Sequence, residues 1–351
     1  MPNEPQALLL ENQRPIALWL LVCCAMIFAM VVLGGVTRLT GSGLSMVEWE
    51  PIMGVVPPLT QTEWQSTFEK YQQFPEFKIK NRRMGLSEFK AIFWFEFGHR
   101  LLGRAIGVVF LVPFLYFLIR RRIDRALTPK LVIMFCLGGL QGLLGWYMVK
   151  SGLVDNPHVS QYRLTAHLAA AFLIYSYMFW VAMDLLFSNR ETTATELKPI
   201  RRFAWAVTAL TTVTVLSGGF VAGLKAGFAY NTFPLMDGHW FPKAYFYLQP
   251  WWMNLFENIA AVQFDHRLLA VLTLVLIATG WWLARGYELP KRAQLGFHLL
   301  SAMVMIQFTL GIVTLLLHVP VSLAATHQGG ALMLFTIALF TNHALKKVAR
   351  F

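Results

Sequence analysis

Four histidines stand at matching places in the two halves of this chain. His99 and His167 lie in the first half, and His266 and His327 lie in the second. All four lie in apolar segments, where a buried imidazole needs a polar partner. Two imidazoles on facing helices of a bundle can ligate the iron of a porphyrin from both sides. The pattern therefore predicts two bis-histidine heme sites, one in each half.

Other interpretations of the histidines stay open from their spacing alone. A single histidine in a membrane helix is more often a hydrogen-bonded core residue than a ligand. Zinc and copper are the competing metals, but a zinc site needs about four ligands. Each matched pair consists of two histidines with no cysteine beside them. The ligand number therefore favours heme.

Further motifs recur in the same order around the histidines, which predicts an internal duplication. Gly218 follows Gly34 by 184 residues, and His266 follows His99 by 167 residues. The matched elements are Gly34-Gly35 with Gly218-Gly219, residues 96–102 (EFGHRLL) with 263–269 (QFDHRLL), Gln141 with Gln307, and Gly145 with Gly311. We interpret the two glutamines as hydrogen-bonding residues between helices and assign them no chemistry.

The composition indicates the elements that must position these residues. Hydrophobic residues make up 56% of the 351 residues and charged residues only 14%, so we expect an integral membrane protein. The fold class predicted is an all-α polytopic membrane protein with eight transmembrane helices, arranged as two tandem four-helix bundles. The apolar runs are 16–37, 91–119, 130–150, 163–187, 202–223, 258–284, 292–318 and 322–344.

Basic residues in the short loops predict the topology. They follow the second, fourth and sixth runs and end the chain, which places these loops and both termini in the cytoplasm. The N-terminal repeat is expected at 1–190, with a long outer loop at 38–90, and the C-terminal repeat at 191–351. The net charge of +12 is spread over loops and does not indicate a nucleic-acid partner. Residues 1–13 contain no arginine, unlike a mitochondrial transit peptide, so we expect a bacterial inner membrane.

The halves differ at one ionisable position beside the first histidine of each pair. Glu96 stands three residues before His99, whereas the neutral Gln263 stands before His266. A carboxyl group in a membrane is a functional-site hypothesis by default, so we expect proton-coupled chemistry in the first half and a permanent heme in the second. A structural pairing of Glu96 with Arg100 is the alternative.

Two cations at the outer helix ends are candidates for binding heme propionates. Arg38 and Lys225 follow the first and fifth runs, and half-buried propionates need cationic partners. Ordinary interfacial placement of long basic side chains explains both equally well.

Several longer strings resemble the heme A synthases. They are residues 41–51 (GSGLSMVEWEP), 54–59 (GVVPPL), 68–71 (FEKY), 96–104 (EFGHRLLGR), 231–238 (NTFPLMDG) and 264–267 (FDHR). The chain is similar to the branch shared by mitochondria and proteobacteria. It lacks the outer-loop cysteine pair of the other branch, because its cysteines at 23, 24 and 136 all fall in predicted helices.

The resemblance implies a heme-dependent oxidoreductase that converts heme O into heme A for terminal oxidases. It implies oxidation of the C8 methyl group to a formyl group with water-derived oxygen. By position, His266 and His327 would ligate a resident heme B, while His99 and His167 would flank heme O with Glu96 beside the reacting edge. Partners would be an electron acceptor and the lipid membrane, with heme O synthase, oxidase assembly factors or a second copy as further candidates.

Two other protein classes fit parts of the pattern. A cytochrome b561-like diheme electron carrier would also use four histidines, but such carriers stack hemes at two depths, and here all four histidines lie toward the outer side. A transporter built from parallel repeats would explain the duplication and leave the paired histidines without a purpose.

Overall fold

The computed structural model describes residues 4–48, 53–153, 159–187 and 197–346. In this part of the chain eleven α-helices occur and no β-strand. Their bounds are α1 Glu4–Leu39, α2 Gln61–Gln72, α3 Pro75–Ile79, α4 Leu86–Ile119, α5 Thr128–Gly152, α6 Gln161–Leu186, α7 Lys198–Gly223, α8 Asn254–Glu257, α9 Ile259–Ala284, α10 Lys291–Leu316 and α11 Val321–Ala344.

Eight of these helices are long and apolar enough to cross a membrane: α1 from Gln13 onward, α4, α5, α6, α7, α9, α10 and α11. They coincide with the eight predicted runs, and the prediction of an all-α polytopic membrane protein is confirmed. Large aliphatic side chains such as Val108, Val112 and Leu140 are exposed on their surfaces. A spanning helix satisfies its backbone hydrogen bonds internally, so such faces can contact lipid.

The chain divides into two compact units. Residues Ala25–Ala171 form the N-terminal unit, and the described parts of Met1–Cys24 and Phe172–Phe351 form the C-terminal unit. His99 and His167 both belong to the N-terminal unit, while His266 and His327 both belong to the C-terminal unit. The expected division into repeats at 190/191 stays a prediction, because residues 188–196 lie outside the described ranges.

The predicted outer loop 38–90 contains the amphipathic helix α2. A reciprocal capping box begins this helix, because Glu63 N–H donates to Thr60 Oγ1 and Thr60 N–H donates to Glu63. Its apolar face packs on the first turns of α4. The aromatic cluster so formed consists of Trp64, Phe68, Tyr71, Phe89, Phe93 and Phe97. Packing of this kind fixes the outer loop on the helix that carries Glu96 and His99.

Candidate functional site

Each of the four histidines faces a glycine on a neighbouring helix of its own unit. A Cβ atom built on that glycine would lie 3.2 Å from His99 Nε2 at Gly34, 3.1 Å from His167 Cε1 at Gly145, 3.2 Å from His266 Cε1 at Gly218 and 2.8 Å from His327 Cε1 at Gly311. Close-packed interiors do not absorb an added methyl group without a shift. The glycines that align the two halves therefore also make room for the imidazole rings.

The histidines of each pair lie near each other. His99 and His167 are close enough to interact electrostatically, and so are His266 and His327. All four residues are half-buried. The structure thus brings together the two members of each predicted pair, although the four stand on four different helices: α4, α6, α9 and α11.

The His266 ring is held by a serine on α7. Ser217 Oγ lies 2.7 Å from His266 Nδ1 and donates its own proton to the Thr214 carbonyl oxygen, also at 2.7 Å. Sequence reasoning missed Ser217. The signal was available, because Ser217 is a polar residue in an apolar run directly before the Gly218-Gly219 pair that aligns the halves.

The two matched glutamines hold the later histidine of each pair. Gln141 Nε2 donates to the His167 carbonyl oxygen at 3.0 Å, and Gln307 Nε2 donates to the His327 carbonyl oxygen at 2.8 Å. Gln307 Nε2 also lies 3.1 Å from His327 Nδ1. The helix-to-helix role expected of both glutamines agrees with these bonds. His167 Nδ1, in contrast, is buried and has no hydrogen-bond partner among the described residues.

Glu96 connects α4 to the outer loop. Its side chain is buried, and it forms an ion pair with Arg100 Nη2 at 2.5 Å. Its other oxygen accepts hydrogen bonds from Ser45 Oγ and from the Met46 backbone N–H, both at 2.8 Å. Arg100 in turn donates to the Met46 and Glu48 carbonyl oxygens. The structural pairing with Arg100, raised as the alternative for Glu96, is therefore present.

The C-terminal unit repeats this arrangement with reversed polarity. Gln263 Nε2 donates to the Ala226 and Tyr230 carbonyl oxygens at 2.8 and 3.2 Å, and Gln263 Oε1 accepts from Arg267 Nη2 at 3.1 Å. Arg267 also donates to the carbonyl oxygens of Tyr230 and Thr232. The Glu96 carboxylate accepts from a loop N–H group, at Met46. The Gln263 amide donates to loop carbonyl oxygens, at Ala226 and Tyr230. Each side chain therefore matches the loop backbone that it meets.

The two cations expected to bind propionates lie at the ends of two helices, although Arg38 is inside α1 and not past its end. Arg38 is half-buried in the last turn of α1, and Lys225 is exposed two residues after α7 ends, in a left-handed conformation. Asp265, the carboxylate beside His266, accepts a hydrogen bond from Tyr245 OH at 2.9 Å. It therefore belongs to the contact between α9 and the segment that joins α7 to α8.

A second buried carboxyl group lies in the first outer loop. Glu76 of α3 is 5% exposed and accepts a hydrogen bond from Tyr71 OH at 3.3 Å. Burial raises the pKa of Glu76 to about 7; the charge of Lys80 opposes this shift, and the charge of Glu96 adds to it. Burial also raises the pKa of Tyr71 well above its ordinary value. Sequence reasoning did not single out Glu76, because a glutamate in a polar loop gives no signal of burial.

These residues fit a heme in each unit. Imidazole nitrogens are iron ligands, glycines lie against the rings, and the unpartnered His167 Nδ1 is available to a further group. In the described part of the chain no group of three or more His, Cys, Asp or Glu could hold a bare metal ion. A donor set of two imidazoles suits a metal whose remaining ligands come from a porphyrin.

Fold and site together define a class: a multi-pass α-helical membrane protein with two imidazole pairs, each built into its own helical unit. Comparison with known proteins gives the family. A family model described as "Cytochrome oxidase assembly protein" (COX15-CtaA) matches residues 17–339. The chain belongs to this family.

Curated relatives extend over nearly the whole chain. Heme A synthase of Nitrosospira multiformis is 58% identical over 336 residues, which cover 95% of this chain and 94% of the relative. Heme A synthase of Paramagnetospirillum magneticum is 52% identical over 335 residues, covering 95% and 94%. Heme A synthase COX15 of Homo sapiens is 45% identical over 345 residues, covering 96% and 84%. The resemblance drawn from the motifs is confirmed.

Proposed function

We propose that this protein is a heme A synthase, an oxidoreductase that takes heme O as substrate and gives heme A as product. Family membership at 45–58% identity to enzymes of that name supports the reaction. The observation that carries the proposal is the presence of two imidazole pairs, each seated against glycines of its own unit. One pair suits a substrate heme and the other a resident heme.

The proposed division of labour follows the two halves. The N-terminal repeat, 1–190, would hold heme O between His99 and His167. The C-terminal repeat, 191–351, would hold heme B between His266 and His327. Support comes from the residues beside each pair: the first has the ion-paired carboxylate Glu96, and the second has a neutral amide at the matching position.

The reaction adds one water-derived oxygen atom and removes four electrons and four protons from the C8 methyl group and the water together, leaving a formyl group. A bound heme B supplies a redox centre that can carry electrons onward, and the acceptor would be another component of the membrane. The protein's own groups would position heme O and handle protons. His99 and His167 would orient the substrate from both faces.

Glu96 would accept protons at its carboxylate. Its Oε2 atom already faces the Ser45 hydroxyl, and its Oε1 atom faces Arg100. The ion pair with Arg100 holds the carboxylate at a fixed position, where it would meet the proton that leaves the substrate. Glu96 stands one helical turn before His99 on the same face of α4, which places the proton acceptor beside the substrate ligand.

Arg38 and Lys225 would bind propionates of the two hemes at the outer helix ends. Arg38 in the last turn of α1 and Lys225 just after α7 stand at corresponding helix ends, which supports this role. The membrane would be a bacterial inner membrane with both termini in the cytoplasm, by the distribution of basic loops. Heme O synthase, terminal oxidase assembly factors and a second copy of the chain would be the protein partners.

Extraction and mass analysis of the hemes in purified protein tests the proposal. The protein is expressed with and without a heme O synthase. Without the heme O synthase we expect heme B alone. With it we expect heme B together with heme O and heme A. Heme B alone in both samples would contradict the proposal and favour a cytochrome b561-like electron carrier.

A further inference from the structure

The second unit contains a directional hydrogen-bond chain that ends on a histidine ring. Ser217 has one hydroxyl proton, and it goes to the Thr214 carbonyl oxygen at 2.7 Å. The contact of 2.7 Å between Ser217 Oγ and His266 Nδ1 must then be made with the proton on Nδ1. A neutral His266 with its proton on Nδ1 has a free lone pair on Nε2. That is the tautomer that ligates iron through Nε2.

The residues around this series of hydrogen bonds are polar and connect α7 to α9. Thr214 Oγ1 lies 2.8 Å from Thr273 Oγ1, and Thr273 also donates to the Leu269 carbonyl oxygen. Thr214 is on α7, as is Ser217, and Thr273 is on α9 with His266. The ring and the residues behind it are therefore fixed to the same pair of helices.

The matching positions of the first unit are apolar. At the offset of 184 residues that aligns Gly34 with Gly218, Ser217 corresponds to Leu33 and Thr214 to Met30. At the offset of 167 residues that aligns the first histidines, Thr273 corresponds to Ile106. Leu33 packs toward Gly98 on α4, and the Met30 methyl group packs toward Gly103. None of these three side chains can hydrogen-bond to the His99 ring.

We infer that Ser217 is a positioning residue that fixes the tautomer and ring orientation of His266, and that Leu33 leaves His99 without this constraint. The inference rests on the proposed function and deepens it. An imidazole whose second nitrogen donates to a fixed acceptor is a stronger and better oriented iron ligand. An imidazole without such an acceptor dissociates more easily from the heme iron. The polar network thus suits a heme that stays, and the apolar one suits a heme that enters as substrate and leaves as product.

The first test uses full-length protein expressed without heme O synthase, so that heme B is the only heme. Ser217→Ala removes the acceptor, Ser217→Thr keeps it, and Thr212→Ala is the matched control. Among the described residues, the Thr212 hydroxyl bonds to the Thr208 carbonyl oxygen within α7 and to no other group. Transfer of heme to excess apomyoglobin is measured by absorbance, and the midpoint potential of the bound heme by titration.

We expect Ser217→Ala to lose heme on the order of ten times faster than the wild type. Its midpoint potential should rise, because a weaker imidazole donor stabilises the ferric form less. Ser217→Thr and Thr212→Ala should resemble the wild type in both measurements. A Ser217→Ala protein with the retention and potential of Thr212→Ala would overturn the inference, and this result would leave the heme A synthase proposal untouched.

A gain of hydrogen bonding gives an independent test if Ser217→Ala does not fold. Leu33→Ser places a hydroxyl at the matching position of the first unit. In cells that contain heme O synthase, we expect this variant to retain more heme O and heme A per chain after washing than the wild type does. Equal retention would contradict the inference. Absence of heme A from the wild type would instead contradict the proposed function, while the heme B measurements on Ser217 would still be readable.

Discussion

The Glu96 carboxylate and the Arg100 guanidinium form a buried ion pair one turn apart on α4, with 2.5 Å between Oε1 and Nη2. Both groups also hold the outer loop: Glu96 accepts from Ser45 and Met46, and Arg100 donates to Met46. The pair therefore links the loop to the helix that carries His99. A proton-accepting role and an anchoring role for Glu96 predict different outcomes on substitution.

Substitution of Glu96 by glutamine separates the two roles. Glutamine keeps an oxygen that can accept from Arg100, as Gln263 does from Arg267 at 3.1 Å, but it cannot take up a proton. For Glu96→Gln we expect the heme A yield to fall by about 10²- to 10⁴-fold, the usual contribution of a general base. The amide nitrogen cannot accept from the Met46 N–H, so the outer loop should also become more sensitive to protease, but less so than in Arg100→Met, and proteolysis is measured in the same preparation.

Arg100→Met is the companion variant for this prediction. It removes the bonds from the guanidinium to the loop carbonyls and leaves the carboxylate in place. We expect it to make the outer loop more sensitive to protease. A Glu96→Gln enzyme with a normal heme A yield would show that Glu96 only anchors the loop.

Alanine substitutions of the histidines test the division between the two units. His99→Ala should abolish heme A while leaving the absorption spectrum of a resident heme, because the ligands proposed for that heme lie in the other unit. His266→Ala should remove that resident spectrum. Heme content per chain and product are measured together by extraction and chromatography. Equal loss of bound heme from both variants would be inconsistent with one substrate site and one resident site.

The sequence predicted the eight spanning helices well, because length and apolar composition determine which segments can cross a membrane. It also grouped the histidines into pairs, each of which falls within one compact unit, because the motifs around them recur in order. It did not reveal that Gly34 and Gly311 face imidazole rings. A glycine in a membrane helix has many packing roles, and its partner depends on how the helices are rotated against each other.

The sequence was a weaker guide to hydrogen bonding between distant residues. The contrast of Glu96 with Gln263 predicted proton-coupled chemistry in the first half, which stays a prediction. The structure adds that each side chain matches the polarity of the loop backbone it meets. That polarity depends on the path of the loop and cannot be read from composition. Glu76 was missed for the same reason, because its contact with Tyr71 depends on the fold of the loop. Ser217 was recognisable as a polar residue before Gly218, but its partner His266 is 49 residues away and is set by the fold alone.

A larger residue at Gly145 should displace the His167 ring. Its Cβ would lie 3.1 Å from His167 Cε1, and valine adds two further methyl groups that the ring must avoid. For Gly145→Val we expect at least about a tenfold loss of heme A, because a small displacement of a group that positions the substrate slows a reaction strongly. The absorption spectrum of the resident heme should stay unchanged, because its ligands belong to the C-terminal unit.

Gly142→Val is the matched control, because Gly142 lies one turn earlier on α5 and nothing lies within 4 Å of a Cβ built there. We expect it to express and to make heme A at about the wild-type level. A similar loss in both variants would show that the defect comes from valine in α5 and not from contact with His167.

Protonation of Glu76 should control the stability of the first outer loop. The pKa of Glu76 is raised from 4.5 to about 7, mainly by burial, and the groups that act on it are Lys80, Glu96 and Tyr71. The folded loop thus binds the proton more tightly than the unfolded loop. Its stability is greatest below about pH 4.5 and falls as the pH rises through about 7.

Hydrogen exchange of residues 61–84, corrected for intrinsic rates, should therefore be faster at about pH 8 than at about pH 5. Glu76→Gln should remove most of this difference, whereas Glu69→Gln, at an exposed position of α2, should retain it; an unchanged pH dependence in Glu76→Gln would assign the effect to another group.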